Sequence, residues 1–187
     1  QGSCGASAMW ELYADGALYI RGSGSLTNPK NAASVAWYAY RGRIRTVSVD
    51  AGITNLPDYA FYGCSALTEI SFTEGSLLTT IGGSAMRGCT SLTELTLPDR
   101  LQTVYGNAWR DCAALTSVYL PDSVSYLADS AFTGCDAVTL SVGYDSYAKQ
   151  YAVRKNLVYT ERPCAVIASG SCGANASWEL YSDGSLY

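Results

Sequence analysis

The sequence predicts a β-rich solenoid, in which short coils of similar sequence stack around one elongated core. Two observations point to it. A phrase containing cysteine recurs as AFYGCSALTEI (60–70), AMRGCTSLTEL (85–95), AWRDCAALTSV (108–118) and AFTGCDAVTL (131–140), so that Cys64, Cys89, Cys112 and Cys135 fall 25, 23 and 23 residues apart. Self-similarity at such a period marks a stack of supersecondary units. Within a unit, Leu92, Leu95 and Leu97 face one way and Glu94 and Thr96 the other, the alternation of a half-buried strand. One such coil cannot bury both of its apolar edges, whereas stacked copies bury them continuously.

The elements follow in order. Residues 1–43 read as an N-terminal cap with a β-hairpin: a strand to Tyr13, a turn at Asp15-Gly16 and a strand from Leu18 to Arg21. GSGS (22–25) reads as a turn after that hairpin, since it lacks the third glycine and the βα setting of a dinucleotide loop. Residues 44–160 divide into five units: 44–66, 67–91, 92–114, 115–137 and a degenerate 138–160. Each of the first four opens with a strand, and two of them then turn at Pro98-Asp99 and Pro121-Asp122. A second short extended piece follows (Leu101 with Val104, Val124 with Leu127), and the A-F/M/W-x-x-Cys segment turns the chain back, expected as one helical or 3₁₀ turn. The second unit has two extra residues around Gly75–Ser76, assigned to a loop. In the last unit Tyr147, Ala148, Tyr151 and Ala152 lie at helical spacing with Lys149, Arg154 and Lys155 outward, which predicts a closing helix over the final coil.

With leucine, a large apolar residue and cysteine in register over four consecutive units, the chain resembles the BspA-type leucine-rich repeat of bacterial surface proteins, whose pattern of about 23 residues ends in AF-x-x-C. The likeness is close over 44–137 and loose over 138–160; Met86 and Trp109 stand where the pattern has Phe, and both are large apolar fillers. The resemblance implies a right-handed superhelix with a parallel sheet on its concave face. It further implies a secreted or cell-surface protein that is not an enzyme and that binds host or neighbouring-cell protein or glycan ligands in adhesion. A structural spacer, or an accessory module beside a catalytic domain elsewhere in a longer protein, is the alternative.

Composition narrows the chemistry. The chain has 187 residues and a net charge of −4, with no Lys/Arg-rich run to bind nucleic acid. Its apolar stretches are far shorter than the roughly 18–20 residues of a membrane span, so no membrane insertion is expected. Histidine is absent, which removes the commonest general base, zinc ligand and triad partner. No calcium-loop spacing or C-x₂₋₄-C zinc knuckle is found, and no cofactor is expected. The four repeat cysteines read as a ladder of small buried side chains. Neighbouring strands hold Cα atoms about 4.7–4.9 Å apart, within disulfide range, but parallel side chains keep Cβ atoms outside the preferred ~3.5–4.5 Å, so free thiols are expected.

A second pattern marks the ends. GSCGASAMWELYADGALY (2–19) returns as GSCGANASWELYSDGSLY (170–187), identical at 14 of 18 positions. The expectation is a piece of a longer protein with tandem modules. Residues 161–169 would be a linker and 170–187 the start of a second, truncated cap, whose Trp178, Leu180 and Leu186 would drive weak self-association. Cys4, Cys164 and Cys172 lie outside the ladder; Cys164 could pair with either of the others in an exported protein, or all three could be free and buried. NAS (175–177) fits a glycosylation sequon.

Candidate ligand contacts come from the outward strand positions: Thr46, Ser48 and Asp50; Glu69, Ser71 and Thr73; Glu94 and Thr96; Ser117 and Tyr119. Of these, Ser48, Glu69, Ser71, Glu94, Thr96 and Tyr119 form the candidate site. Glu69 and Glu94 are expected as stacked neighbours about 5 Å apart. Such like charges are either solvated or countered by a bound cation or a basic partner. That spacing also suits a retaining glycosidase, but an open strand face has no pocket to raise one carboxyl's pKa. Tyr59, Tyr62, Tyr105, Tyr119 and Tyr126 could serve as sugar-stacking or protein-contact platforms, or simply as amphipathic cover.

Overall fold

In the computed structural model, which describes residues 1–163, 166–173 and 176–181, the units stack as coils of a β-solenoid whose strands pair in parallel. Along one side, Thr46–Val49 pairs with Glu69–Phe72 in register Thr46↔Glu69 to Val49↔Phe72. A four-stranded parallel sheet continues that side with Glu94–Thr96, Ser117–Tyr119, Thr139–Gly143 and Val158–Arg162. The other side is a narrow ladder of Asn55–Leu56, Thr80–Ile81, Thr103–Val104 and Tyr126–Leu127. The period-two alternation sends Val47, Ile70, Leu95, Val118 and Leu140 inward from the first side, and Leu56, Ile81, Val104 and Leu127 inward from the second. The core lies between them.

The cap behaves as an additional coil. Strand Gly5–Leu12 runs antiparallel to Ala17–Leu26, which in turn pairs in parallel with the first unit from Ala17↔Thr46 to Ile20↔Val49. GSGS is not a turn after the hairpin but part of this second strand. Its glycines let the strand pass between two neighbours, for Gly22 has φ 103° and a Cβ there would meet Ser7 O at 2.2 Å. Polar clasps fasten the cap to the first unit: Asp50 Oδ2 accepts Gly22 N–H at 2.9 Å, and Asn55 Oδ1 accepts Leu26 N–H at 2.7 Å and Ser25 Oγ at 2.9 Å.

The A-F/M/W-x-x-Cys corners differ from the expected helical turn. In the first, Tyr59, Phe61 and Gly63 donate their N–H groups to Gly83, Ala85 and Arg87 of the next coil at 3.0, 2.5 and 2.8 Å. Ala60, Tyr62 and Cys64 donate instead to Pro57, Tyr59 and Phe61 within their own coil. A helix keeps every N–H for itself, so this corner is a chain of turns welded to its neighbour. Alternating the donors requires left-handed residues, found at Tyr59, Gly63, Ser84, Gly88, Asn107 and Asp111. This accounts for the glycine before most of the repeat cysteines. In the third unit Asp111 takes the same conformation with φ 62° and ion-pairs with Arg87 at 3.3 Å.

The four ladder cysteines are buried and free. Cys89 Sγ donates to Phe61 O at 3.2 Å, Cys112 Sγ to Met86 O at 3.1 Å and Cys135 Sγ to Trp109 O at 3.0 Å, each on the preceding coil. A thiol suits the site because it packs as a small apolar group yet supplies one weak donor.

Large side chains form a second column: Phe61, Met86, Trp109 and Phe132, one per coil, with Trp37 of the cap at one end and Tyr151 at the other, all buried. Trp37 stacks on Phe61 at 5.9 Å between centroids, and Trp109 on Phe132 at 4.8 Å. Trp37 Nε1 donates to Ala60 O at 2.6 Å, whereas Trp109 Nε1 has no hydrogen-bond partner among the described residues.

The closing helix spans Tyr147–Lys155 and buries Ala148, Tyr151 and Ala152, as the spacing predicts. Ser146 Oγ caps it by accepting Lys149 N–H at 3.1 Å, and Asn156 ends it in the left-handed conformation. The helix does not terminate the array, since Val158–Arg162 follows it and pairs with Thr139–Gly143. Val166–Gly173 and Ala176–Tyr181 form a separate antiparallel pair. Cys164 and Asn175 lie outside the described residues, as do the side chains of Cys172, Trp178 and Leu186.

Candidate functional site

All six candidate side chains stand on the long strand side, and its alternation leaves Glu69, Ser71, Glu94 and Thr96 exposed and Ser48 and Tyr119 half-buried. Ser48 is in register with Ser71, whose Oγ donates to Val47 O at 3.3 Å. Tyr119 is in register with Thr96. Glu69 and Glu94 stand on strands that pack against each other and line one groove. The parallel ladder is interrupted between Glu69–Phe72 and Glu94–Thr96, which end and begin separate sheets, so the two carboxylates are not partners in a continuous register.

The interruption follows the two extra residues of the second unit. Thr73 N–H and Leu77 N–H bond back to Val49 O at 3.0 Å and Ala51 O at 2.8 Å. The lengthened loop thus follows the first coil, and the third unit starts a new ladder. A groove of about 800 Å³ opens at the break, and Glu69, Glu74, Glu94, Asp99, Arg100 and Tyr119 all line it. Among the described residues, Glu69, Glu74 and Glu94 have no ion-pair partner. Four carboxylates against one guanidinium make the groove negative, a field that draws cationic groups.

Tyr119 is held on one side. Its hydroxyl donates to Asp99 Oδ1 at 3.2 Å, and the Arg162 guanidinium lies over its ring at 4.3 Å from the centroid. Arg162 is itself fixed by Ser141 O at 2.6 Å and by an ion pair with Asp122. Burial pushes the Tyr119 hydroxyl above the usual phenol range, against the opposing pull of Arg162. Tyr119 is thus fixed at its hydroxyl and at one ring face while its side chain lines the groove.

The other tyrosines are not gathered here. Tyr59 and Tyr62 meet edge to face at 5.9 Å, and Tyr105 and Tyr126 meet at 6.2 Å beside the narrow ladder. Sequence reasoning missed Glu74, Asp99 and Arg162. Asp99 belongs to a Pro-Asp turn that reads as purely structural, and Arg162 falls just past the last recognisable unit.

Parallel coils, a cap that continues their ladder and an open strand face define a leucine-rich-repeat solenoid, a fold for protein interaction that is generally non-catalytic. The chain belongs to the BspA-type leucine-rich-repeat family: residues 23–149 match the BspA type leucine rich repeat region in six copies. The match starts within the cap's second strand, which the geometry also makes a coil. Curated proteins give no match. Solved structures do. A leucine-rich repeat protein from Bacteroides ovatus ATCC 8483 is similar at 25% identity and a TM-score of 0.55, over 65% of this chain and 31% of that one. A T. pallidum leucine rich repeat protein gives 21%, 0.53, 75% and 71%, and one from Eubacterium ventriosum ATCC 27560 gives 19%, 0.57, 73% and 42%. The chain thus spans under a third of the length of the Bacteroides ovatus protein. Repeats of this type are typical of bacterial surface proteins. Among the described residues no helix is long and apolar enough to cross a membrane.

Proposed function

We propose that this chain is an adhesive module of a secreted or surface-anchored bacterial protein, and that its strand face binds a protein or glycan of a host or neighbouring cell. The observation that carries the reading is the negative groove at the ladder break, lined by Glu69, Glu94 and Tyr119. Its charge favours a basic protein segment, with Ser48, Ser71 and Thr96 as flanking hydrogen-bond groups. Tyr119, the aromatic residue of the strand face that lines the groove, is where a sugar would stack. In the same reading, residues 1–43 cap the repeats of 44–160, residues 161–169 join modules, and the next cap begins at Gly170.

Binding of the fluorescently labelled chain to intact cells, compared with Glu69→Lys/Glu94→Lys, tests this. Exposed ion pairs contribute about 0.2–1 kcal/mol each, so reversing two charges weakens binding roughly 2- to 30-fold, with less effect at high salt. Equal binding by both proteins removes the groove from the function. A wild-type chain that binds no cell surface supports the spacer alternative.

A further inference from the structure

The duplicated phrase forms the same strand pairing twice, but one copy is more complete. In the first, Gly2 is opposite Trp10 and Ser3 opposite Met9. In the second, the equivalent Gly170 is opposite Trp178 and Ser171 opposite Ser177. There the pairing runs on, with Ser169 opposite Glu179, Ala168 opposite Leu180 and Val166 opposite Tyr181. In the first copy the corresponding edge, Glu11, Leu12 and Tyr13, lies past the end of the Gly2–Ser3 strand.

The hydrogen-bond alternation shows which groups that edge offers. Tyr13 turns inward, its N–H bonded to Ala17 O at 2.9 Å and its carbonyl accepting Gly16 N–H at 3.1 Å. Ala8 turns outward, its carbonyl accepting Cys4 N–H at 3.0 Å. An antiparallel strand alternates residue by residue, so Ala8, Trp10 and Leu12 share the outer direction. Leu12 therefore presents its N–H and C=O on the open edge, a template for an added strand.

We infer that the Glu11–Tyr13 edge docks an extended segment of the kind found at Val166–Ser169, supplied by the end of a preceding module, so that strand pairing joins successive modules in place of a free linker. This rests on the tandem-module reading. The occupant is uncharged and extended, V-I-A-S in sequence, and the duplicated cap holds such a segment at the equivalent positions. The joint is short. Only Pro163, Cys164 and Ala165 separate the last coil's strand from Val166, a reach of about 14 Å at most.

Because Ser169 corresponds to Gln1, fusing the sequence of residues 163–168 directly ahead of Gln1 reproduces the junction in register. Amide hydrogen exchange at Leu12, followed by NMR in the otherwise complete chain, reads the docking. The expected result is at least 10-fold slower exchange at Leu12 than in the unextended chain. A second fusion with prolines at the positions of Ile167 and Ala168 removes the N–H that would donate to Leu12 O and breaks the added strand, so it should restore fast exchange at the Leu12 N–H. Unchanged exchange in the first fusion, or equal protection in both, overturns the inference. The readout is local to the cap, so loss of cell binding in the groove variants leaves it unaffected and the two proposals fail separately.

Discussion

Raising the pH should destabilise this protein through its buried thiols. Burial pushes the Cys64 thiol from an ordinary 9.0 up to about 12. Cys112 is drawn down by the Cys135 thiol but raised by the Cys89 thiol and by burial, and also stands at about 12. Cys135 is pushed up further by the Cys112 thiol and by burial. Each group is neutral in the fold and free to ionise in the unfolded chain. Its stabilising contribution is therefore complete below about pH 9 and is lost as pH climbs toward the folded value. By pH 10 each thiol has cost about 1.4 kcal/mol relative to neutral pH, so three together remove about 4 kcal/mol, roughly 3 of it between pH 9 and 10. That is a large part of a domain stability of about 5–15 kcal/mol. Urea denaturation under reducing conditions at pH 7, 8, 9 and 10 measures the loss. The triple variant Cys64→Ala/Cys112→Ala/Cys135→Ala starts less stable at pH 7, having lost packing, but its stability should fall with a slope smaller by three protons. Tyr151, raised to about 12 by burial, is common to both proteins and cancels. Parallel pH profiles for wild type and variant would refute the buried-ladder argument.

Two further outcomes test the column of large side chains. Phe132→Ala should cost about 3–5 kcal/mol by chemical denaturation, because the ring is sandwiched between Trp109 and Tyr151; Tyr62→Ala, half-buried in the first corner beside the buried Phe61, should cost under ~1 kcal/mol. Trp109→Phe should change stability by less than about 1 kcal/mol: losing ring area is offset by removing an unpaired buried N–H that costs about 1–3 kcal/mol, and a loss above ~2 kcal/mol contradicts this.

The period, the facing of the strands and the identity of the core were legible in the sequence because they depend on apolar spacing alone. Leu95 and Phe132 had to be inside wherever the coils lay. The corners were less legible. Tyr59, Ser84 and Asn107 adopt left-handed backbone although only Asn has a marked preference for it, and the reason is a hydrogen bond to a coil about 24 residues away. The GSGS segment reads as a turn by local chemistry, yet the close approach of Ser7 draws it into a strand. The candidate site was legible one coil at a time but not across coils. The facing of Glu69 and Glu94 followed from alternation, whereas their relation depended on where the extra Gly75–Ser76 residues broke the ladder. Arg162 could not be connected to Tyr119 before the strand after the helix was known to rejoin the sheet.

The column from Trp37 to Tyr151 gives the array an adjustable length. Each end piece offers the column the same kind of side chain that a coil offers, so neither end can distinguish a long array from a short one. Duplicating one unit in the gene would lengthen the column by one step and the ligand face by one strand spacing, about 4.8 Å. Both ends would keep their contacts unchanged. Gain or loss of whole units would therefore alter the breadth of the face in fixed increments, and a lineage could fit it to larger or smaller targets without reinventing the fold.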